Sequence, residues 1–327
     1  LLDEEGRIIK VYLGATPASA ILADAKAEER PPLTFPGTWY TLPPGRNYLQ
    51  MATAMAERAL RSEARALFEA ALKAGRTGNE LYNNFGGLLL EDGDLDRGEE
   101  LLRRSLELNP GQFEAQANLG GLLARRGRAK EAISFLQEAQ KMQPDDAFVY
   151  SALGSAHFAL GDLGAAEQSY RESVRLEPTS LDHHYNLGSV LATARRYREA
   201  LRSFQQARKL GSDTVELMNN LGILYMEQGQ PDKARAEFER AVQADPSHYG
   251  SHLNLALYYV RSGQVEQGQI WIQKAKRLEP QNPAALLLEA EILIELGNTA
   301  KAKEILQNLL QSHPELPQAI DLLKRIR

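Results

Sequence analysis

Small and large apolar residues recur along most of the chain at a fixed spacing of 34 residues. Glycine or alanine occupies one position in eight successive repeats: Ala52, Gly86, Gly120, Gly154, Gly188, Gly222, Ala256 and Ala290. A large apolar residue precedes it in every repeat except the eighth, which has Glu289. A second small residue follows each one, with a large apolar residue four positions later, as in Ala64 and Phe68. This pattern predicts two amphipathic helices in every repeat, joined by a short polar turn.

Proline marks the end of most repeats, at Pro110, Pro144, Pro178, Pro246, Pro280 and Pro314. Because proline lacks a backbone N–H donor, it ends the second helix near its own position. The first and fifth repeats have Arg76 and Ser212 there instead. We therefore place eight repeats at residues 45–316. Residues 317–327 are predicted to form a capping helix, with Ile320, Leu323 and Ile326 on its apolar side.

Eight repeats in register, without an insertion, resemble the tetratricopeptide repeat family. The resemblance implies an all-α fold, a right-handed superhelical solenoid of paired antiparallel helices. Stacking stabilises such an array because no repeat can bury its apolar face alone. The resemblance also implies that the first helix of each repeat lines a concave face, where a peptide or protein partner would bind.

Two sets of residues are candidates for binding a partner on that face. The first is a ladder of asparagines, which can pair with a peptide backbone because a primary amide is both donor and acceptor: Asn84, Asn118, Asn186, Asn220 and Asn254. The second is a group of large apolar residues in repeats six to eight: Ile223, Met226, Leu253, Leu257, Val260, Leu287 and Ile294. Repeats two to five are expected to form a shallow, polar floor of small residues such as Gly121, Ser155 and Ser189.

Each set also has a purely structural interpretation. Asparagine is the commonest residue at its position in the family, and the apolar residues could bury one another where the array curls. The lysine and arginine clamp of chaperone-binding members is missing, because the corresponding positions carry Leu49, Thr53, Glu114, Ala117 and Asn118. A chaperone co-factor role is therefore disfavoured.

Residues 1–44 differ from the repeats. Residues 1–30 read as strand, turn, strand and helix, a run that resembles the closing part of a thioredoxin-like (redoxin) domain. Residues 31–44 combine prolines with Phe35, Trp39 and Tyr40, which predicts a stiff linker whose aromatic rings cover the first repeat or occupy a groove. The chain begins at Leu1 rather than at a methionine, so we expect it to be part of a longer protein.

Composition excludes several classes of function. There is no cysteine, so thiol chemistry and most structural zinc sites are excluded, and the formal net charge of −5 does not favour nucleic acid. No apolar run is long enough to span a membrane. His248 and His252 have metal-like spacing but lack a third ligand, and His183 and His184 lie at a repeat boundary. We therefore predict no cofactor, no metal site and no enzyme activity.

Three functional hypotheses follow. The first is a protein-interaction scaffold that binds a peptide or protein on the concave face. The second is a structural or assembly subunit that packs against copies of itself or within a larger complex. The third is the non-catalytic C-terminal module of a redoxin-type enzyme. The redoxin-like start and the absence of cysteine favour a bacterial extracytoplasmic location, periplasmic or secreted, over the cytoplasm.

Overall fold

The computed structural model describes residues 49, 52, 53, 55, 56 and 60–326. The predicted hairpin, linker and most of the first helix of repeat one lie outside these residues. Contacts divide the chain into two bodies, Leu1–Arg76 and Thr77–Arg327. The described part is helical, without a strand, and its sixteen helices are α1 (Arg61–Lys73), α2 (Asn79–Glu91), α3 (Leu95–Leu108), α4 (Phe113–Arg125), α5 (Ala129–Met142), α6 (Ala147–Ala159), α7 (Leu163–Leu176), α8 (Leu181–Thr193), α9 (Tyr197–Lys209), α10 (Val215–Glu227), α11 (Pro231–Ala244), α12 (Tyr249–Arg261), α13 (Val265–Leu278), α14 (Pro283–Glu295), α15 (Thr299–Ser312) and α16 (Pro317–Arg325).

The helices alternate between two roles, as the 34-residue pattern predicts. The first body contains α1, the second helix of repeat one, in which Ala64, Phe68 and Ala71 are buried. In the second body, even-numbered helices begin repeats two to eight and odd-numbered helices complete them. We call these A helices and B helices. Each A helix packs against its own B helix, and each B helix packs against the next A helix. The all-α solenoid predicted from the sequence is confirmed.

The repeated spacing of small residues along the chain reflects close contact between the two helices of a repeat. A Cβ atom on Gly120 of α4 would lie 2.5 Å from Cγ of Leu136 in α5. A Cβ atom on Gly188 of α8 would lie 2.7 Å from the ring of Phe204 in α9. Such distances are below van der Waals contact, so a side chain there would push the helices apart. The large residue of the B helix fills the space that the small residue leaves.

The turns between A and B helices depend on a left-handed backbone residue. Glycine supplies it in six of the repeats in the second body: Gly93, Gly127, Gly161, Gly229, Gly263 and Gly297, with φ between 68° and 83°. Repeat five has Arg195 at the same position with φ of 58°. A Cβ atom crowds the backbone in this region, so arginine is less favourable there than glycine.

The apolar core is shared between repeats. One cluster joins Leu102 of α3 to Leu119 of α4 and Leu153 of α6, and similar clusters link the later repeats. Glu289 of α14 is the exception to the apolar pattern, with only 3% of its surface exposed. Its carboxylate accepts hydrogen bonds from Gln273 and Lys276 of α13. A buried ion pair therefore replaces an apolar contact at the junction of repeats seven and eight.

Helix α16 packs against the apolar residues of repeat eight. Its fully buried residue is Ala319, which packs with Leu306 and Leu309 of α15. Leu323 and Ile326 extend the contact as expected. The predicted position of Ile320 on the apolar side is wrong, because the contacting stripe begins one residue earlier, at Ala319. The rest of the stripe follows at the three- and four-residue steps of a helix.

Charged residues on the B helices form networks that cross from one repeat to the next. Glu99 of α3 accepts hydrogen bonds from Arg103, Arg126 and Arg128 at 2.6 to 2.8 Å, and Glu131 of α5 pairs with Arg103 and Arg128. Burial alone would raise the pKa of Glu99, but the hydrogen bonds from Arg103 and Arg128 outweigh it and hold the pKa below its usual value. The carboxylate therefore stays ionised within the network.

The part of this network formed by Glu99, Arg103, Arg128 and Glu131 recurs two repeats later. Glu167 of α7 accepts hydrogen bonds from Arg171 and Arg196, and Glu199 of α9 accepts from the same two arginines, at 2.5 to 3.0 Å. Each member stands 68 residues after its counterpart, which is twice the repeat length. Arg196 is therefore paired at a junction between repeats.

Candidate functional site

The A helices present one face that is not covered by the B helices. Two hollows on this face are both lined by residues at positions 2, 5, 6 and 9, counted from the first residue of each A helix, and one of them also by positions 12 and 13. We call these positions, in repeats two to eight and in α16, the groove face. The five predicted asparagines occupy position 6, so the structure places the ladder on this face.

The N-terminal hollow lies between α2, α4 and α6 and has a volume of about 390 Å³. Its polar lining includes Asn118, Ser151 and Ser155, and its charged lining consists of Glu91 and Arg125. Its apolar lining comes mainly from Leu90 and Phe148. The hollow therefore combines hydrogen-bonding groups with an exposed aromatic ring.

Phe148 shows that the predicted polar floor is wrong for repeat four. Half of the Phe148 side chain (50%) is exposed, although a ring of this size is usually buried. The ring lies over Gly121 of the preceding repeat, where a Cβ atom would be 2.8 Å from it. Phe158, at position 12 of the same helix, is also exposed. Phe148 was not predicted, because position 2 was not among the positions considered for the floor, and Phe158 stands at position 12, where neighbouring repeats have alanine.

The C-terminal hollow lies between α12, α14 and α16 and has a volume of about 480 Å³. Predicted residues Leu253, Leu257 and Leu287 line it, and Leu288 and Leu322 complete its apolar wall. Asn254 also lines this hollow, whose charged residues are Glu291, Asp321 and Arg325. The structure therefore brings three of the predicted apolar residues and one of the predicted asparagines together in a single hollow.

The other predicted apolar residues are distributed differently. Ile223 of α10 is 42% exposed on the groove face. Met226, Val260 and Ile294, at position 12, are half-buried and pack against the apolar clusters of their own repeats. A Cβ atom on Gly268 of α13 would lie 2.8 Å from Val260, so this valine also fills the space between its two helices.

The asparagines of the ladder do not have equal hydrogen-bonding capacity left for a partner. Asn220 donates to the hydroxyl of Tyr185 in α8 at 3.2 Å, and Asn254 donates to the side-chain carbonyl of Asn219 in α10 at 3.0 Å. Asn84 accepts a hydrogen bond from Asn83. The amides of Asn118 and Asn186 make no side-chain hydrogen bond within the described chain. Asn118 and Asn186 therefore keep their side-chain hydrogen-bonding capacity within the described chain.

Tyr185 links the ladder to the core of repeat five. Its ring lies 5.4 Å from the ring of Phe204, centroid to centroid. Burial and the nearby negative charge of Glu216 raise the pKa of Tyr185, while hydrogen bonds with Asn220 and Ser189 oppose the rise. The hydroxyl stays protonated at neutral pH, so it acts as a hydrogen-bonding group and not as a charge.

Three of the histidines considered in the sequence, His184, His248 and His252, contact backbone groups through their rings. Nε2 of His252 lies 2.8 Å from the carbonyl oxygen of Pro246, and Nε2 of His184 lies 3.0 Å from that of Pro178. His248 caps α12 through its contact with the Ser251 N–H. Within the described residues, no group of three or more histidines and carboxylates could hold a metal ion. None of the described helices is long and apolar enough to cross a membrane.

The fold and groove face define a solenoid of tandem helix pairs, and comparison of the sequence with protein families identifies the type. The family described as "Cilia and flagella-associated protein 70 C-terminal domain" matches residues 46–282, and a tetratricopeptide repeat family matches residues 272–326. The chain belongs to the first of these families, a family of tetratricopeptide repeat domains. Neither match reaches residues 1–30, so the redoxin resemblance has no support from them. No curated protein sequence matches the chain.

Several solved structures share the fold. The APC/C hetero-tetramer Cut9-Hcn1 matches with a TM-score of 0.63 and 17% identity over 85% of this chain and 55% of the other. PilW, a type IV pilus biogenesis factor, matches with a TM-score of 0.59 and 23% identity over 64% of this chain and 98% of its own. PilF of Pseudomonas aeruginosa matches with a TM-score of 0.57 and 19% identity over 65% of this chain and 97% of its own. At these identities the similarity concerns the fold.

Proposed function

We propose that this chain is a non-catalytic scaffold that binds a peptide or protein partner along the groove face. The observation that carries the proposal is the half-exposed Phe148, which lies over Gly121 and forms one wall of the N-terminal hollow. A large apolar group kept partly in water has no folding advantage, whereas aromatic rings contribute strongly to binding a partner.

The arrangement of the N-terminal hollow supports the same function. Asn118 lines the hollow next to the ring with its amide unpaired in the described chain. A peptide could place an apolar side chain against Phe148 while its backbone pairs with the amide of Asn118. Asn186, one repeat beyond Phe148 on the same face, would extend the backbone contacts.

Photo-crosslinking from matched positions tests the proposal. A photoreactive phenylalanine analogue is placed at Phe148 or Ile223 on the groove face and, as control, at Ile270 of B helix α13. Ile223 and Ile270 are both isoleucines with about half of the side chain exposed (42% and 51%), so they differ mainly in their location. We expect crosslinked partner proteins in the source cell from Phe148 and Ile223 only. Crosslinks from Ile270 alone would contradict the proposal.

The alternative of a self-associating or assembly subunit gives a different result in the same experiment. Crosslinks would then join two copies of this chain, and the mass in solution would exceed that of a monomer at micromolar concentration. A monomer with heterologous crosslinks on the groove face supports the scaffold function. The third hypothesis, a module of a redoxin-type enzyme, concerns residues outside the described part of the chain.

A further inference from the structure

The acidic residues of the second body differ in whether a basic residue neutralises them. Those in the B-helix networks, such as Glu99, Glu131, Glu167 and Glu199, are paired with arginines. Six acidic residues on the groove face form no ion pair with any described residue: Glu80, Glu114, Asp182, Glu216, Glu291 and Glu295. The groove face therefore carries negative charge that the fold itself does not neutralise.

The basic residues of the groove face do not balance this charge. They are Arg125, Arg261 and Arg325, and Arg261 is already paired with Glu227 of α10 at 3.5 Å. Away from the groove face, acidic and basic residues of the second body occur in nearly equal number. The negative charge of this body is thus concentrated on the face that the A helices leave uncovered. A surface with excess negative charge attracts partners of positive charge.

In the C-terminal hollow this charge lies beside an apolar wall. Leu253, Leu257 and Leu287 form the wall, and Glu291 stands within the same hollow. Glu295 follows one helical turn later on the groove face of α14. Asp321 and Arg325 also line the hollow, and Asp321 is 3.4 Å from Lys324. Among the described residues, Glu291 in the lining and Glu295 one turn along α14 have no ion pair, and neither does Arg325 of the lining. Two unpaired negative charges therefore stand against one unpaired positive charge beside the leucines.

We propose that the C-terminal hollow binds a basic, amphipathic segment of a protein partner. Leucine-sized side chains of the segment would enter the hollow, and its lysines or arginines would lie against Glu291 and Glu295. The inference rests on the proposed function, since it specifies the chemistry of the partner that the groove face binds. Apolar anchors would supply most of the affinity, while the charges would select basic segments over acidic ones.

Three labelled peptides of equal length test this inference on the full chain by fluorescence anisotropy. One combines lysine and leucine, the second glutamate and leucine, and the third lysine and serine. We expect the lysine–leucine peptide to bind at least tenfold more tightly than either of the others, because only it satisfies both the wall and the charges. Raising the ionic strength from about 0.05 to about 0.5 M should weaken its binding.

Two matched pairs of variants locate the binding site. Glu291→Gln with Glu295→Gln should weaken binding of the lysine–leucine peptide roughly fivefold, at about 0.5 kcal/mol for each exposed pair lost. Glu304→Gln with Glu315→Gln is the control, because both glutamates are exposed, lie outside the groove face and form no ion pair within the described residues. This double variant changes the net charge equally and should alter binding less than twofold.

The apolar wall is tested in the same way. Leu257→Ser should weaken binding roughly tenfold or more, since burying one leucine is worth about 1.5–3 kcal/mol. Ile270→Ser, at an exposed apolar residue of α13, should leave binding unchanged. Circular dichroism of each variant checks the fold. If Leu257→Ser unfolds the chain, the two glutamate double variants still decide the question.

The possible failures are distinguishable. Tighter binding of the glutamate–leucine peptide, lost in Leu257→Ser, would overturn the charge inference and leave the groove face as the binding surface. Binding of the lysine–leucine peptide that responds equally to both glutamate double variants would indicate unspecific attraction and overturn the inference. Absence of binding by all three peptides would also overturn it. The proposed function would then depend on the crosslinking from Phe148 and Ile223.

Discussion

The two hollows of the groove face occupy matching positions of the repeat, yet their chemistry is different. In the N-terminal hollow, small residues and the unpaired amide of Asn118 surround the exposed ring of Phe148. In repeats seven, eight and α16, leucines form the wall and acidic residues stand beside it. The tetratricopeptide scaffold therefore fixes where a partner can bind, while the residues at positions 2, 5 and 9 decide what can bind there.

The junctions between repeats also differ between the N-terminal and C-terminal repeats. The junctions from repeat two to three and from four to five each contain two glutamates and two arginines in a network of identical spacing, which includes Glu99 in the first and Glu167 in the second. The junction from repeat seven to eight depends on an apolar cluster and on the buried pair of Lys276 with Glu289. We expect the N-terminal repeats to respond to pH and salt and the C-terminal repeats to respond to loss of apolar contact.

Removal of residues 317–327 should change stability more than any of the substitutions below and should separate the C-terminal repeats from the N-terminal ones. It uncovers Leu306 and Leu309 and removes Leu322 from the C-terminal hollow, so we expect a loss of about 3–6 kcal/mol in stability of the last repeats. Repeats two to four should keep their protection in hydrogen exchange, because stability in such arrays passes between neighbours. Lys324→Ala, on the exposed side of α16, is the control. Unchanged melting after the truncation would show that α16 is not a cap.

Two adjacent glycines of α4 separate core from groove within the N-terminal hollow. Gly120 faces Leu136 of α5, and Gly121 faces the half-exposed ring of Phe148. Valine at either position has the same intrinsic effect on helix stability. The ring of Phe148 can move away from a valine at position 121 into solvent, whereas the buried Leu136 cannot move away from one at position 120. We expect Gly120→Val to cost about 2 kcal/mol more than Gly121→Val in chemical denaturation. Equal costs would mean that Phe148 is held as firmly as the core.

Acidification should weaken the N-terminal junctions first. Hydrogen bonds from Arg103 and Arg128 lower the pKa of Glu131. Burial would raise the pKa of Glu167, but the hydrogen bonds from Arg171 and Arg196 outweigh burial and lower this pKa. A carboxylate with a lowered folded-state pKa stabilises the fold above the unfolded pKa of about 4.3, and this stability is lost as pH falls through the folded-state value. Hydrogen exchange corrected for intrinsic rates should therefore show α3, α5, α7 and α9 losing protection below about pH 5.

A variant that lacks one carboxylate checks the origin of that pH response. Glu99→Gln should lower stability by about 1 kcal/mol at neutral pH, a modest value because its arginines are partly exposed. It should also flatten the acid response of α3 and α5 while leaving that of α7 and α9 unchanged. A response that persists in α3 and α5 would place its origin outside the network.

The turn of repeat five should give the smallest effect, with the opposite sign. Arg195→Gly removes the strain of a Cβ atom at φ of 58° and should raise stability by about 1 kcal/mol. The reciprocal variant Gly161→Arg, at the same position of repeat four, should lower it by a similar amount. Thermal melting of both variants measures the difference. A loss of stability in Arg195→Gly would mean that its side chain makes a contact worth more than the strain.

The sequence by itself determined the repeat, its length and its helix pairs. Gly86 and Gly188 are small, and the helix that follows each of them has a large apolar residue. This pattern predicts that the two helices cross in close contact at the glycine. The position of the Asn118 and Leu253 side chains on a shared face also follows from helical periodicity. These features depend on local pattern repeated eight times, so the sequence was sufficient.

Only the tertiary structure decided which of these side chains remain available. Val260 and Leu257 belong to the same helix face, yet Val260 fills space against Gly268 while Leu257 lines the hollow. Phe148 is exposed because the neighbouring repeat has glycine under its ring, and Glu289 is buried because Lys276 of another repeat reaches it. The contacts of Phe148 and Glu289 join neighbouring repeats, and that of Val260 joins the two helices of one repeat. Each outcome therefore depends on which side chain of another helix packs against the residue, and stacking of the helices decides this.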